Sequence, residues 1–186
     1  MSIVLIGAGG HAKVILDTAK SINKKIVGFI DDNVEEFFGL TKLYDKDLFQ
    51  NKNKLSAIIA FGAVKVDEAK RRNDVFSKYK GINFTTLIHR QAIVSTKAKI
   101  GKGVVIFPGA IINAGAIIDD NAIINSAAII EHDATIGKGT HICPGAIVLG
   151  GASVAKNSIV GAGAVILPYS EILTPKLIYA LTRYPK

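Results

Sequence analysis

Residues 100–130 read IGKGVVIFPGAIINAGAIIDDNAIINSAAII, and within them a β-branched residue returns at every sixth position. Followed outward in both directions, the column comprises Val94, Ile100, Ile106, Ile112, Ile118, Ile124, Ile130, Ile136, Ile142, Val148, Val154, Val160, Ile166 and Ile172, all fourteen β-branched. Two positions ahead of each stands a residue, from Ala92 and Ala98 to Ala164 and Ser170, that is small in thirteen of the fourteen cases, Val104 being the exception. A helix with 3.6 residues per turn would scatter these positions around its cylinder. In extended chain, residues i and i+2 face the same side, so the small and the β-branched residue both point inward. Pro108-Gly109, Asp119-Asp120-Asn121, Pro144-Gly145 and Gly150-Gly151 occupy the gaps and supply turns. The pattern is strand, corner, strand, corner, each rung stacking on the last through parallel backbone hydrogen bonds.

This repeat resembles that of the hexapeptide-repeat acyltransferases, whose fold is a left-handed parallel β-helix with three hexapeptides per coil and a triangular section. The resemblance implies about four and a half coils over residues 92–172, roughly 20 Å tall at ~4.8 Å per rung. Such a prism has two open ends. The N-terminal domain is expected to cap one, and the chain after Ile172 to cover the other.

The 186 residues allow one ordinary domain or two small ones, and the boundary is placed at residues 85/86. With 49% apolar and 20% charged residues the composition is that of a globular protein with a core. No apolar run reaches the ~18 residues of a membrane span, and residues 2–8 lack the basic flank of a signal peptide, so a cytoplasmic protein without membrane insertion is expected. Cys143 is the lone cysteine and offers neither a disulfide nor a zinc cluster. The net charge of +8 is spread from Lys13 to Lys186 with no interleaved aromatic residues, which argues against nucleic acid and fits a small polyanionic ligand or simply a basic, soluble surface.

Residues 1–85 read as a Rossmann-like half domain. A strand over residues 2–6 leads into Gly7-Ala8-Gly9-Gly10-His11 and a helix with Val14, Ile15 and Ile22 on one face. A second strand ends at Ile30, a third covers residues 57–61, and a helix over 66–80 stops at Gly81. Gly7, Gly9 and Ala12 match a dinucleotide fingerprint, with Asp31-Asp32 about twenty residues on. Only one βαβαβ half precedes the repeat, so the expected ligand is a single nucleotide whose phosphate meets the helix N-terminus.

Of the four histidines, His132 and His141 fall within the repeat. His132 sits at a corner beside Asp133, and His141 precedes inward Ile142, so both are expected to face outward. An outward imidazole followed by a carboxylate suits a general base whose second ring nitrogen is held by the acid. Nine residues apart, they lie on different faces of an eighteen-residue coil, which points to a cleft shared between subunits of a symmetric trimer.

Gly-Ala-Gly-Gly-His at residues 7–11, Gly28-Phe29-Ile30-Asp31-Asp32, Thr86-Leu87-Ile88-His89 and the segment Asn125–Asp133 occur in an order that resembles the bacterial NeuD-type sugar acetyltransferases over nearly the whole chain. The likeness is greatest to enzymes that N-acetylate a UDP-4-amino-4,6-dideoxy sugar. It implies that acetyl-CoA is the co-substrate and that no metal is needed. It further implies His132 as general base with Asp133 raising its basicity, and Asn125 beside the acceptor amine. Gly9, Gly10, His11, Asp31, Asp32 and Gly62 would hold the nucleotide sugar, and His141, Gly161 and Ala162 would meet acetyl-CoA. The family's Gly-x-Pro-Ala-Lys-like tail is replaced by residues 173–186, where Lys176, Arg183 and Lys186 are candidates for the coenzyme's phosphates. The alternatives are an O-acetyltransferase of sialic acid or another sugar on the same scaffold, a metal-dependent β-helix hydratase needing three histidines, and a non-catalytic nucleotide-binding solenoid.

Overall fold

The computed structural model describes residues 1–185. The N-terminal unit runs β1 (Ser2–Ile6), α1 (Gly10–Ser21), β2 (Ile26–Ile30), β3 (Thr41–Lys42), α2 (Asp45–Gln50), β4 (Leu55–Ile59) and α3 (Val66–Lys78). The strands pair in the order β3-β2-β1-β4, all parallel. Both faces of β1 are covered, which is why Ile3, Val4, Leu5 and Ile6 form one unbroken apolar run. Three readings shift. The stretch expected as a loop after Asp32 contains β3 and α2, and the third long strand begins two residues early, at Leu55. Val14 is exposed, and α1 packs instead through Ala12, Ile15, Thr18 and Ala19, a stripe at helical spacing in which Val14 has no place.

From Leu87–Ile88 to Arg183–Tyr184 the chain makes seventeen two-residue strands that stack into three parallel faces of six, six and five strands. The column of β-branched residues forms the axis, with the small residues buried beside it, as the period of six requires. A left-handed residue stands at the corners from Gly103 to Tyr169, again every sixth position; it is mostly glycine or asparagine, and at Asp133 it is aspartate, at φ +60°.

The second residue of each strand points in and the first points out, so the outward residues define each face. The first face presents Leu87, Val105, Ile123, His141, Ile159 and Leu177. The second presents Ile93, Ile111, Ile129, Ile147, Val165 and Arg183. The third presents Lys99, Ile117, Thr135, Ser153 and Glu171.

The N-terminal unit does not cap the prism's end. It lies along the first face, burying Leu87, Val105 and Ile123 against α1 and the sheet, and Cys143 and Ile159 against Ala63 and Ala69. The apolar outward ladder of that face explains the choice, since an end offers no such strip of side chains. Nor does the tail form a separate cap. Leu177–Ile178 and Arg183–Tyr184 continue the solenoid in register, with Ile178 buried in the column. Lys186, expected near the coenzyme's phosphates, lies outside the described residues.

No helix among the described residues is long and apolar enough to cross a membrane.

Candidate active site

His132 lies at the corner between the second and third faces, its side chain 56% exposed. Nδ1 is 3.0 Å from Asp133 Oδ2. An ionised carboxylate only accepts, so Nδ1 donates to it, and Nε2 is the ring nitrogen left to face outward. Nε2 then points up the corner toward the next coil, where a Cβ on Gly150 would stand 2.6 Å from it. Gly115 makes the corresponding space below: a Cβ there would lie 2.2 Å from Asp133 Oδ1. Glycine is thus required on either side for the pair to adopt this pose. The dyad is ordered by the left-handed turn at Asp133, which swings the carboxylate back beside the ring of its neighbour.

The remaining candidates gather elsewhere, at the junction of the two units. His141 was expected on an open surface; it does point out of the prism, but the N-terminal unit covers it and leaves it 6% exposed. Its Nδ1 is 2.7 Å from Ala63 O and therefore carries the proton, and Nε2 accepts from Asn125 Nδ2 at 2.9 Å. Both ring nitrogens are engaged within the chain. Burial pushes its pKa down to about 4, so the ring is neutral at physiological pH. His11 is half-buried, its ring edge-on to Phe107 at 5.3 Å and to His141 at 6.5 Å. Burial, helped by the nearby Arg72 and His141, lowers its pKa to about 3, and its buried Nε2 has no partner among the described residues. Gly62 adjoins the same ring, where a Cβ would fall 3.5 Å from Nδ1.

Gly9 and Gly10 open α1, and a Cβ on either would meet only open space. The first turn of this helix has no acidic residue and no side-chain cap, leaving its positive end free for an anion. Asp31 does two local tasks: Oδ2 accepts from Ala8 N–H and Oδ1 from Asn33 N–H, each at 2.9 Å, which fixes the glycine turn. Asp32 lines a cleft of about 730 Å³ beyond the carboxyl ends of β1, β2 and β4, with Lys42, Lys46, Arg71 and Lys78 among the walls. This is the crevice where strand order reverses, the usual nucleotide position in a parallel sheet. Gly161 and Ala162 stand two coils above Asn125 and Ser126 on the corner between the first and second faces.

Sequence reasoning missed Arg72. It is fully buried without a carboxylate partner; Nη1 donates to Ile59 O and Phe61 O at 3.1 and 2.5 Å, and Nε to Asn121 O at 3.4 Å. Burial lowers its pKa to about 9, still high enough to keep it charged at neutral pH. It ties the strand-end loop that carries Gly62 and Ala63 to the prism. The signal was available, because Ala69, Arg72 and Phe76 share one helical stripe. Among the described residues no three His, Cys, Asp or Glu side chains converge as metal ligands.

Residues 2–78 match the PglD N-terminal domain model, and residues 133–168 match the bacterial transferase hexapeptide model of six repeats. The chain thus joins a PglD N-terminal domain to a bacterial transferase hexapeptide repeat. The acetyltransferase domain of PglB from Neisseria gonorrhoeae is similar over 98% of this chain and 90% of its own, at 28% identity and a TM-score of 0.84. The same domain in complex with acetyl coenzyme A is similar over 98% and 94%, at 26% identity and a TM-score of 0.80. PerB from Caulobacter crescentus, in complex with CoA and GDP-perosamine, shares the fold over 97% and 95%, at 24% identity and a TM-score of 0.73. No curated protein sequence matches this chain.

Proposed function

We propose that this chain transfers acetyl from acetyl-CoA to the 4-amino group of a nucleotide-linked, UDP-borne 4-amino-4,6-dideoxy sugar, in the cytoplasm and for surface-glycan synthesis. The observation that carries the reading is the exposed His132–Asp133 pair, with Nδ1 held by the carboxylate and Nε2 aimed along a corner cleared of side chains. The acceptor nitrogen attacks the thioester carbonyl, the C–N bond forms, and His132 Nε2 takes the ammonium proton. The C–S bond then breaks and the proton passes to the departing thiolate. No covalent enzyme intermediate is required. The Gly150 N–H has no partner among the described residues and lies beside the imidazole, so it can polarise the thioester oxygen.

The nucleotide sugar is assigned to the N-terminal cleft, with its phosphates at Gly9 and Gly10, Asp32 near the ribose, and the sugar passing His11 and Gly62 toward Asn125. The unpaired His11 Nε2 supports this path. His141 acts on the site through Asn125, since both its nitrogens are engaged, and Gly161 and Ala162 on the same corner are left to meet acetyl-CoA.

Within one chain, Asn125 and His132 stand at opposite edges of the second face. From Ile93 to Val165 that face is an apolar ladder that nothing among the described residues covers, with Ile93 66% exposed. Three copies turning this face to a common axis would bring the His132 edge of each against the Asn125 edge of the next. A homotrimer with shared active sites follows.

The test is thiol release from acetyl-CoA with UDP-, GDP- and dTDP-linked 4-amino sugars, with CMP-sialic acid and free sialic acid as hydroxyl acceptors. Release is expected with a UDP-linked amino sugar, and His132→Ala should lower turnover by about 10²-fold or more without loss of folding. Wild-type turnover in that variant ends the assignment; release with sialic acid alone moves it to O-acetylation.

A further inference from the structure

The corner that carries His132 is a stack in which residues eighteen apart lie one rung above another. Backbone bonds define the rungs: Asp133 N–H to Ala114 O at 3.1 Å, Gly151 N–H to His132 O at 2.9 Å, and Tyr169 N–H to Gly150 O at 3.0 Å. Ala114, His132, Gly150 and Pro168 form one column, and Gly115, Asp133, Gly151 and Tyr169 the next.

Tyr169 is one of two bulky residues at the left-handed corners of the prism, Leu181 being the other, and the one that shares a column with His132's neighbour Asp133. It stands at φ +56°, where that column otherwise has Gly115, Asp133 and Gly151, and it is 76% exposed. A bulky side chain in that conformation is strained, and such strain is a pointer to function when something nearby uses it. Here something does. The phenol, though largely solvent-exposed, lies with one edge down the corner over Gly151, where a Cβ would come 2.5 Å from Tyr169 Cδ1 and 2.6 Å from Cε1. From below, the His132 ring rises over Gly150, where a Cβ would come 2.6 Å from Nε2. Adjacent Cα atoms are ~3.8 Å apart, so the imidazole Nε2 and the phenol ring are within about 12 Å of each other across a floor of two glycines.

The chemistry says what belongs in that gap. At the carbon under attack, the incoming amine must face His132, which receives its proton, and the oxygen must face the Gly150 N–H. Of the two remaining substituents, which diverge from each other, the acyl methyl is the one that fits the bare floor over Gly151, beside the phenol, while the sulfur leads away along the pantetheine arm. We infer that Tyr169 determines acyl-group specificity: its ring closes the acyl pocket opposite His132 and restricts the transferred group to acetyl. This rests on the transferase reading given above. It also gives the bare Gly151 a purpose, because any side chain there would displace the ring.

The full-length wild type, Tyr169→Ala and Tyr169→Phe are compared with acetyl-, propionyl- and butyryl-CoA, by equilibrium binding and by kcat/KM with the amino-sugar acceptor. A single methylene is discriminated by roughly 10- to 200-fold in a fitted pocket, so the wild type should favour acetyl over butyryl by at least about 10-fold. Tyr169→Ala should reduce that ratio about 10-fold or more while losing rate with acetyl-CoA, and Tyr169→Phe, which keeps the ring, should retain the preference. An unchanged acyl ratio in Tyr169→Ala overturns the inference; if light scattering also shows a smaller assembly, the residue is a subunit contact instead. If the wild type binds acyl-CoAs but transfers to no acceptor, the transferase reading fails while the binding ratio still decides Tyr169. If it binds none of them, both fall.

Discussion

Replacing Gly150 by alanine separates the placement of the imidazole from everything else in the site. Gly150 lies outside the left-handed region, so the backbone accepts a Cβ without strain. The new methyl would stand 2.6, 2.8 and 3.2 Å from His132 Nε2, Cε1 and Cδ2, against an ordinary contact of 3.4 Å or more. The imidazole must therefore retreat by close to 1 Å, and because it is more than half exposed it can do so at little cost to folding. A displacement of that size in a reacting group costs about 10²-fold in rate, equivalent to about 2.7 kcal/mol of barrier. Thiol-release kinetics should show the loss in kcat, with the melting temperature within ~2 °C of wild type. The sharper check is a cycle with His132→Ala. If the methyl acts only by moving the ring, Gly150→Ala should have almost no further effect once the ring is gone. A full 10²-fold loss persisting in the His132→Ala background would refute the reasoning and point to the Gly150 N–H itself.

Arg72→Met keeps the bulk of the side chain but leaves the carbonyls of Ile59, Phe61 and Asn121 without their shared donor. Unpaired buried acceptors cost ~1–3 kcal/mol each, partly offset by relief of the buried charge, so a net loss of about 3 kcal/mol and a fall in melting temperature of about 6–12 °C are expected; an unchanged melting curve would show that Arg72 is no rivet. His11 and His141 stay neutral in the fold, with pKa values lowered to about 3 and about 4, whereas in the unfolded chain they titrate near the ordinary imidazole value of 6.5. Above pH ~6.5 both states are neutral and stability does not respond to these groups. As pH falls below that value the unfolded chain gains protons that the folded one refuses, so stability should drop by up to ~1.4 kcal/mol per pH unit for each histidine, the loss levelling off only near their folded pKa values. Calorimetric melting from pH 7 to 5 tests this, with a smaller slope expected in His141→Gln; a flat profile in the wild type would contradict it.

The solenoid was legible because its rule is local. A β-branched residue every sixth position and a turn former between them leave one arrangement, and the axis from Val94 to Ile172 is built as that pattern implies. The His132–Asp133 pair was legible for the same reason, being adjacent in sequence and at a corner. What was not legible is where the two units meet. A period of six says that Ile123, His141 and Ile159 point outward, but not that another surface comes to cover them, so His141 was taken for an exposed group. The placement of the N-terminal unit depends on matching two apolar strips far apart in sequence, which no local pattern encodes. Gly150, Gly151 and Tyr169 lie between these cases: once the coil length is eighteen, their positions one and two coils above His132 and Asp133 follow by counting, but the way the Tyr169 ring lies does not.

The three faces of the prism divide the work, and the division predicts how the active site is assembled. The N-terminal unit takes the first face, and the third is mostly polar, with Lys99, Thr135, Ser153 and Glu171 pointing out. Among the described residues only the second remains mostly apolar and uncovered, and its two edges are where Asn125 and His132 stand. If copies meet there, a site needs His132 from one chain and Asn125 from the next. Subunits carrying His132→Ala alone, or Asn125→Ala alone, then have three defective sites per trimer. Mixing the two after dissociation gives trimers of both types, and every mixed trimer contains one junction with both residues intact. Random reassembly of equal amounts leaves three quarters of the trimers mixed, so about one quarter of wild-type activity should return. A site contained in one chain would recover nothing beyond the sum of the two variants. Recovery that rises with mixing time, and with dissociation before mixing, distinguishes assembly across the second face from any contact that leaves each chain complete.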